Sequence, residues 1–396
     1  MADGLPCIVS AATTAGSAAG KVAVAARTIE VPRPPRRDPG GPMYVRNQWY
    51  VASWDHEIDR TPLGRKICGL PVVLYRRLDR SVVALHDACP HRLLPLSMGL
   101  KEGDNIRCRY HGLLIGGDGH AIEMPVRTER THKSICARAY PVVERHRFVW
   151  IWIGDNDKAD PSLIPDFWPC SHPSWNFDGD YYHIRCDFRL AIDNLMDLTH
   201  ETYTHQGSIG QREILDSTIR TETDGNRVTV SRWMSSIDAP PFWRSALKKE
   251  GRVDRWQICH FLPPSSVIID VGVAPVESGA TLEHHDQGVR GFVIDALTPE
   301  TDTTCHYFWG MARNFDIQDV GFTARLKQQQ AGVFMEDVAV LEAQQLSIEA
   351  NPEHRLKAFS IDAGGVRARH VIERMSKSQQ PATAPSSPHR SESPSP

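Results

Sequence analysis

The 396-residue chain contains no run of about 18 apolar residues, so it offers no membrane-spanning helix. It has no basic block longer than Arg36-Arg37 and a formal net charge of -3, which argues against nucleic acid as its main partner. No G-x-G-x-x-G follows a strand-like segment and no Cys-x4-Cys-x2-Cys run is present, so the chain holds neither a nicotinamide fingerprint nor a plant-type ferredoxin module. Internal repeats are absent. Cysteine is sparse and odd in number, nine in all, and only Cys89 and Cys108 fall in a motif. That pattern fits buried free thiols in a reducing, cytoplasmic compartment, not a disulfide framework.

What remains is an ordinary globular composition, 41% hydrophobic and 23% charged, long enough for two or three domains. Residues 1–42 are rich in Ala, Pro, Gly and Arg and are expected to be a disordered N-terminal extension, with Met43 as the expected start of translation. Residues 376–396, largely Ser, Pro and Gln, read as a disordered tail. Between them, residues 43–155 read as short strands and turns, with strands at 71–75, 81–85 and 148–153. Residues 156–375 mix strands at 226–232, 266–271 and 291–295 with helices near 190–201 and 320–349. The fold class expected is α+β: an N-terminal all-β domain, then an α+β domain with an antiparallel sheet and a long C-terminal helix.

Two motifs carry chemistry. The first is Cys89-Pro-His91, then sixteen intervening residues, then Cys108-Arg-Tyr-His111-Gly112. Zinc accepts two Cys and two His, but its usual spacing pairs Cys with Cys and His with His. Here each loop brings one of each. Two facing loops would set both thiolates on one iron and both imidazoles on another, and the motif resembles the Rieske [2Fe-2S] signature. Such a cluster moves one electron at a time, so by itself it makes a carrier.

The second motif runs from Asn194 through Asp197 and His200 to His205. Five residues at 100° each leave the two histidines about 140° apart on an ideal helix, so convergence on one metal requires the helix to end or bulge between them. Asp197, three before His200, is suited to hold that imidazole by its other nitrogen. Two imidazoles and one carboxylate form the facial triad of non-haem Fe(II) oxygen-activating enzymes. The segment Ala331–Leu341 places Asp337 inside an apolar helical stripe with Val333, Phe334 and Leu341. A carboxylate there needs a charge partner, either a metal or a buried salt bridge. Glu336 is turned about 100° away and is expected to be solvated.

The two motifs in this order resemble the oxygenase subunits of Rieske non-haem iron oxygenases. The segments around Trp49-Tyr50, Asn194–His205, Ala239–Arg244, Asp254–Cys259, Tyr307–Phe315 and Ile361–Val366 are most similar to vanillate O-demethylase oxygenase subunits. The resemblance implies that Cys89 and Cys108 hold the buried iron of the cluster, and His91 and His111 the exposed one. His200, His205 and Asp337 would hold a mononuclear Fe(II), with Asn194 close to it. Asp197 would bridge His200 to a Rieske histidine of the neighbouring subunit in a homotrimer.

The implied activity is that of the oxygenase component of a two-component monooxygenase. It would O-demethylate a methoxylated aromatic acid such as vanillate to protocatechuate and formaldehyde. Electrons would come from NAD(P)H through a separate FMN/[2Fe-2S] reductase, with O2 as co-substrate. The alternative is a related hydroxylase acting on another aromatic acid: an aryl sulfonate methyl group, or a dicamba-like or phthalate-like substrate. Candidate pocket residues are Tyr203, Arg232, Trp233, Arg244, His260 and Phe308.

Overall fold

The computed structural model describes residues 29–30, 44–126, 130–206 and 209–379. The expected extension and tail otherwise lie outside the described residues. Two corrections touch their edges. Ile29–Glu30 pairs antiparallel with Lys357–Ala358 through the main chain, which needs no particular side chains. The last helix, Ala363–Lys377, runs past the expected start of the tail at 376, because Val371, Ile372 and Met375 dock on the core. Gln379 then closes the end, its Oε1 accepting from Arg46 N at 2.7 Å and its Nε2 donating to Arg46 O at 2.6 Å.

The N-terminal half is built from short antiparallel strands. One sheet takes the order Ala139–Tyr140, Val82–His86, Leu70–Arg76, Leu63–Ile67. A second joins Val142–Arg145, Phe148–Ile153 and Gln48–Trp54. A third, Leu100–Glu102, Asn105–Arg107, Leu114–Ile115 and Ala121–Glu123, carries the segment with Cys108 and His111.

The second half is organised on a seven-stranded antiparallel sheet. Its order is Asn176–Ile184, Cys305–Arg313, Val289–Pro299, Ser266–Pro275, Arg252–Leu262, Arg227–Asp238, Ile219–Asp224. Every residue of Cys305–Arg313 is buried, so the strand reads as a continuous run and not as an alternation. Both faces are covered, which is the condition that produces such runs. On one face Phe308 and Ala312 join Trp49, Trp54, Trp150 and Trp152 of the N-terminal half in one aromatic cluster. On the other, Tyr307 and Trp309 meet Phe334 of the long helix, with ring centroids 5.5 and 4.7 Å apart.

That helix spans Val320–Ala350 and is capped by Asp319, whose side chain accepts from Phe322 N at 2.8 Å. Its buried positions include Leu326, Val333, Phe334, Asp337, Val338, Leu341 and Gln345, the spacing of one helical face. The stripe fixes the helix rotation, and with it the direction of Asp337. Facing it is the shorter helix Phe188–Leu195, which ends just before the second metal motif.

Candidate metal centres

The helix carrying the second motif ends between the two histidines, as their convergence requires, and it is also broken before them. Phe188–Leu195 stops. Asp197 then caps a 3-10 turn, Leu198–His200, by accepting from Thr199 N at 2.9 Å, and a single α-turn, Glu201–Thr204, follows. His205 falls just beyond it, with φ -108° and ψ 34°. The interruption removes the 140° splay of an ideal helix and brings the two imidazole centroids to 5.2 Å. His200 Nε2 lies 3.3 Å from Asp337 Oδ1, and His205 Nε2 lies 3.2 Å from the same oxygen. One ligand atom from each of the three residues falls within 4.8 Å of the others.

The rings are also held from behind. His200 Nδ1 lies 2.6 Å from the main-chain oxygen of Asp197, and His205 Nδ1 lies 2.6 Å from Glu336 Oε2. With Nδ1–H donated in both cases, both Nε2 atoms face the Asp337 carboxylate, each donating a proton to it when the ring is charged and offering a lone pair when the ring is neutral. Burial raises the Asp337 carboxyl, but the two histidines outweigh that and hold it down at about 2. Asn194 Nδ2 donates to the same Oδ1 at 3.1 Å. Two neutral imidazole nitrogens, one carboxylate and a supporting shell on each ring fit a mononuclear iron of the facial-triad type.

Two expectations about this shell are corrected. The partner of His200 Nδ1 is the carbonyl of Asp197, because the 3-10 turn points that oxygen back at the ring. The Asp197 carboxylate instead caps the turn and stands 3.6 Å from Arg232 Nη2. Glu336 is exposed as expected, its side chain 45% accessible, but it is not merely solvated: its carboxylate contacts His205 Nδ1. Sequence spacing could not find this contact, because His205 approaches the flank of the helix from outside its stripe.

The triad lies in the wall of an apolar cavity bounded by Phe242, Trp243, Ile269, Val271, Met311 and Phe334, among others. Its polar lining also includes Glu201, Arg255, Gln257 and Gln330. None of the six candidate pocket residues lines it. Tyr203 is 65% exposed and Phe308 is consumed by the aromatic cluster. Arg232 and Trp233 line a different cavity, and Arg244 is exposed, donating to Ala239 O at 3.1 Å. His260 is tied to Thr229 Oγ1 at 3.0 Å.

The first motif forms two loops with the same hydrogen-bond pattern. Cys89 N donates to Leu94 O and Leu93 N to Cys89 O, each at 2.8 Å; Cys108 N donates to Leu113 O at 2.9 Å and Gly112 N to Cys108 O at 3.0 Å. The fourth residue after each Cys takes a left-handed conformation, Leu93 at φ 60° and Gly112 at φ 81°. Both thiols are buried and both histidines exposed, with ring centroids 4.5 Å apart. Burial pushes the Cys89 thiol up, while the main-chain N–H groups of His91 and Arg92 oppose this and the Cys108 thiol beside it adds to the rise. Buried sulfur and exposed imidazole on paired loops fit a cluster ligated asymmetrically by thiolate and histidine.

Comparison with known proteins finds relatives of both halves of the chain. Residues 48–141 match the Rieske [2Fe-2S] domain and residues 184–378 the vanillate O-demethylase oxygenase C-terminal domain. The chain is 46% identical over 345 residues to the vanillate O-demethylase oxygenase subunit of Pseudomonas sp. (strain HR199 / DSM 7063), covering 86% of this chain and 97% of that one. It is 37% identical to the toluene-4-sulfonate monooxygenase iron-sulfur subunit of Comamonas testosteroni, covering 87% of this chain and 100% of that one. A crystal structure of dicamba monooxygenase bound to 3,6-dichlorosalicylic acid superimposes with a TM-score of 0.79 at 34% identity, covering 84% of this chain and 98% of that one. With a Rieske domain, an oxygenase C-terminal domain and this degree of identity, the chain belongs to the Rieske non-haem iron oxygenases, in the family of vanillate O-demethylase oxygenase subunits.

Proposed function

We propose that this chain is the oxygenase component of a monooxygenase that removes the methyl group of a methoxylated aromatic acid such as vanillate. The observation carrying this reading is the convergence of His200, His205 and Asp337 at the wall of an apolar cavity, in a chain that also bears the paired Cys/His loops. Cys89, Cys108, His91 and His111 would ligate the cluster, in a domain spanning residues 43–155. The triad would hold the mononuclear iron in a domain spanning 156–375. When bound, that iron supplies oxygen activation.

The remaining residues prepare the site. The Asp197 carbonyl and the Glu336 carboxylate fix both imidazole tautomers, and Asn194 fixes the carboxylate. The apolar wall excludes water from the reacting methyl group. One O2, two electrons and two protons convert the methyl ether to a phenol, formaldehyde and water, by way of a hemiacetal that collapses without further oxidation. A separate FMN/[2Fe-2S] reductase would supply the electrons from NAD(P)H. A homotrimer, in which Asp197 of one subunit meets a Rieske histidine of the next, would carry them between centres.

Protein reconstituted under anaerobic conditions should hold three irons per chain and, with reductase and NADH, release formaldehyde from vanillate. Asp337→Ala should retain the Rieske spectrum while losing one iron and all release. Full iron and turnover in that variant would remove Asp337 from the ligand set, and release only from other aryl acids would move the substrate.

A further inference from the structure

Arg255 lies in the wall of the triad's cavity and has no part in the chemistry above. It stands on the strand Arg252–Leu262 with its side chain 5% exposed. Nη1 donates to Gln211 Oε1 at 2.5 Å, while Nη2 lies 3.7 Å from Glu201 Oε2, beyond hydrogen-bond range. Its buried Nε has no partner among the described residues. Glu201 is occupied elsewhere: Gln257 Nε2 donates to both of its oxygens at 3.0 Å. A buried N–H left without an acceptor beside a cavity is costly unless a ligand completes it.

Nε and Nη2 form one edge of the guanidinium fork, and that edge matches the two oxygens of a carboxylate. Arg232 also has a buried nitrogen without a partner, Nη1, but it lines a different cavity and donates from Nη2 to Thr199 Oγ1 at 2.7 Å. Phe242, Trp243 and Phe334 line the same space as Arg255 and offer faces to an aromatic ring. We propose that Arg255 is the specificity-determining anchor of the cavity, taking the carboxylate of an aromatic acid on its Nε–Nη2 edge so that a ring substituent, not the acid group, meets the triad. Glu201 already offsets part of its charge, so the anchor contributes orientation and discrimination more than affinity. This inference rests on the reading that the cavity receives an aromatic acid.

Iron-loaded full-length protein should be titrated anaerobically by calorimetry with vanillate and with vanillamide, which keeps the ring substituents but lacks the charge. The wild type should prefer vanillate at least tenfold. Arg255→Gln should bring the two within threefold while binding the amide as the wild type does. Arg255→Lys, which keeps the charge but not the fork, should lose at least threefold of the preference and decides the matter if the Gln variant fails to fold. A wild type without preference, or variants that weaken both ligands equally or leave the preference unchanged, would overturn the assignment. Formaldehyde release is scored separately: discrimination without release sinks the demethylase reading and leaves the anchor standing.

Discussion

Glu336 and His205 form a contact of 2.6 Å between Oε2 and Nδ1, while the next residue, Asp337, stands 3.2 Å from the other nitrogen of the same ring. Two consecutive acids of one helix thus address both edges of one imidazole. Glu336→Gln should lower mononuclear iron affinity by about 10- to 100-fold, the usual effect of losing such a partner. Competition with a ferrous chelator measures it. The Rieske absorption should be unchanged.

Asp197 leads to a different expectation. Because its carbonyl, not its carboxylate, holds His200, Asp197→Asn should keep the mononuclear iron. Asn also caps helical turns well, so the 3-10 turn should survive with a stability change under about 1 kcal/mol. If the carboxylate carries the path between subunits, reoxidation of the pre-reduced cluster by oxygen with substrate bound should slow by more than tenfold in stopped flow. Unchanged reoxidation would make the residue a cap and an Arg232 partner only.

The paired cluster loops differ in one strained position. Leu93 takes the left-handed conformation at φ 60° that Gly112 takes at φ 81° without a Cβ. An L side chain there costs about 1–2 kcal/mol. Leu93→Gly should therefore raise the temperature at which the Rieske circular dichroism is lost, and Gly112→Ala should lower it. Nothing lies within 4 Å of a Cβ built at Gly112, so the loss would come from backbone conformation and not from a clash.

His306 joins the two halves of the chain. Its ring lies 2.9 Å from Tyr181 Oη and 2.8 Å from the carbonyl of Lys66. Burial, with Arg65 adding to it, lowers its pKa from 6.5 to about 4, against the opposing pull of the Lys66 carbonyl and Glu300. The unfolded chain then takes up a proton below pH 6.5 that the folded chain refuses until about pH 4. Stability from this group is complete above pH 6.5 and is lost as pH falls through that window, by up to roughly 3 kcal/mol. Urea midpoints of wild type and His306→Asn, compared between pH 7 and 4.5, should converge on acidification.

Much of this was legible because metal-ligand spacing is local. Cys89-x-His91 and Cys108-x-x-His111 each fit on one short loop, and Asp337 betrayed itself as an acid inside an apolar stripe. The strand cores at 71–75 and 148–153 were readable for their dense β-branched and aromatic content. Glu336 was not, since its partner arrives from a segment more than a hundred residues away. Arg255 was hidden for another reason. Its strand is buried from Val253 through Cys259, so alternation could not tell which side chains face a cavity. The helix end between His200 and His205 was deduced from the geometry of two histidines, but the earlier break after Leu195, and which atom of Asp197 it would turn toward His200, were not.

The triad draws on two segments far apart in the chain, the turn ending at His205 and the long helix carrying Asp337. A metal there is consequently a cross-link: it closes a long loop of the polypeptide and penalises the unfolded ensemble, which cannot assemble the same donors. The melting temperature of the catalytic half then becomes a titration curve in free ferrous ion. A chelator added to this protein should therefore lower that melting temperature even when no substrate, oxygen or reductase is present.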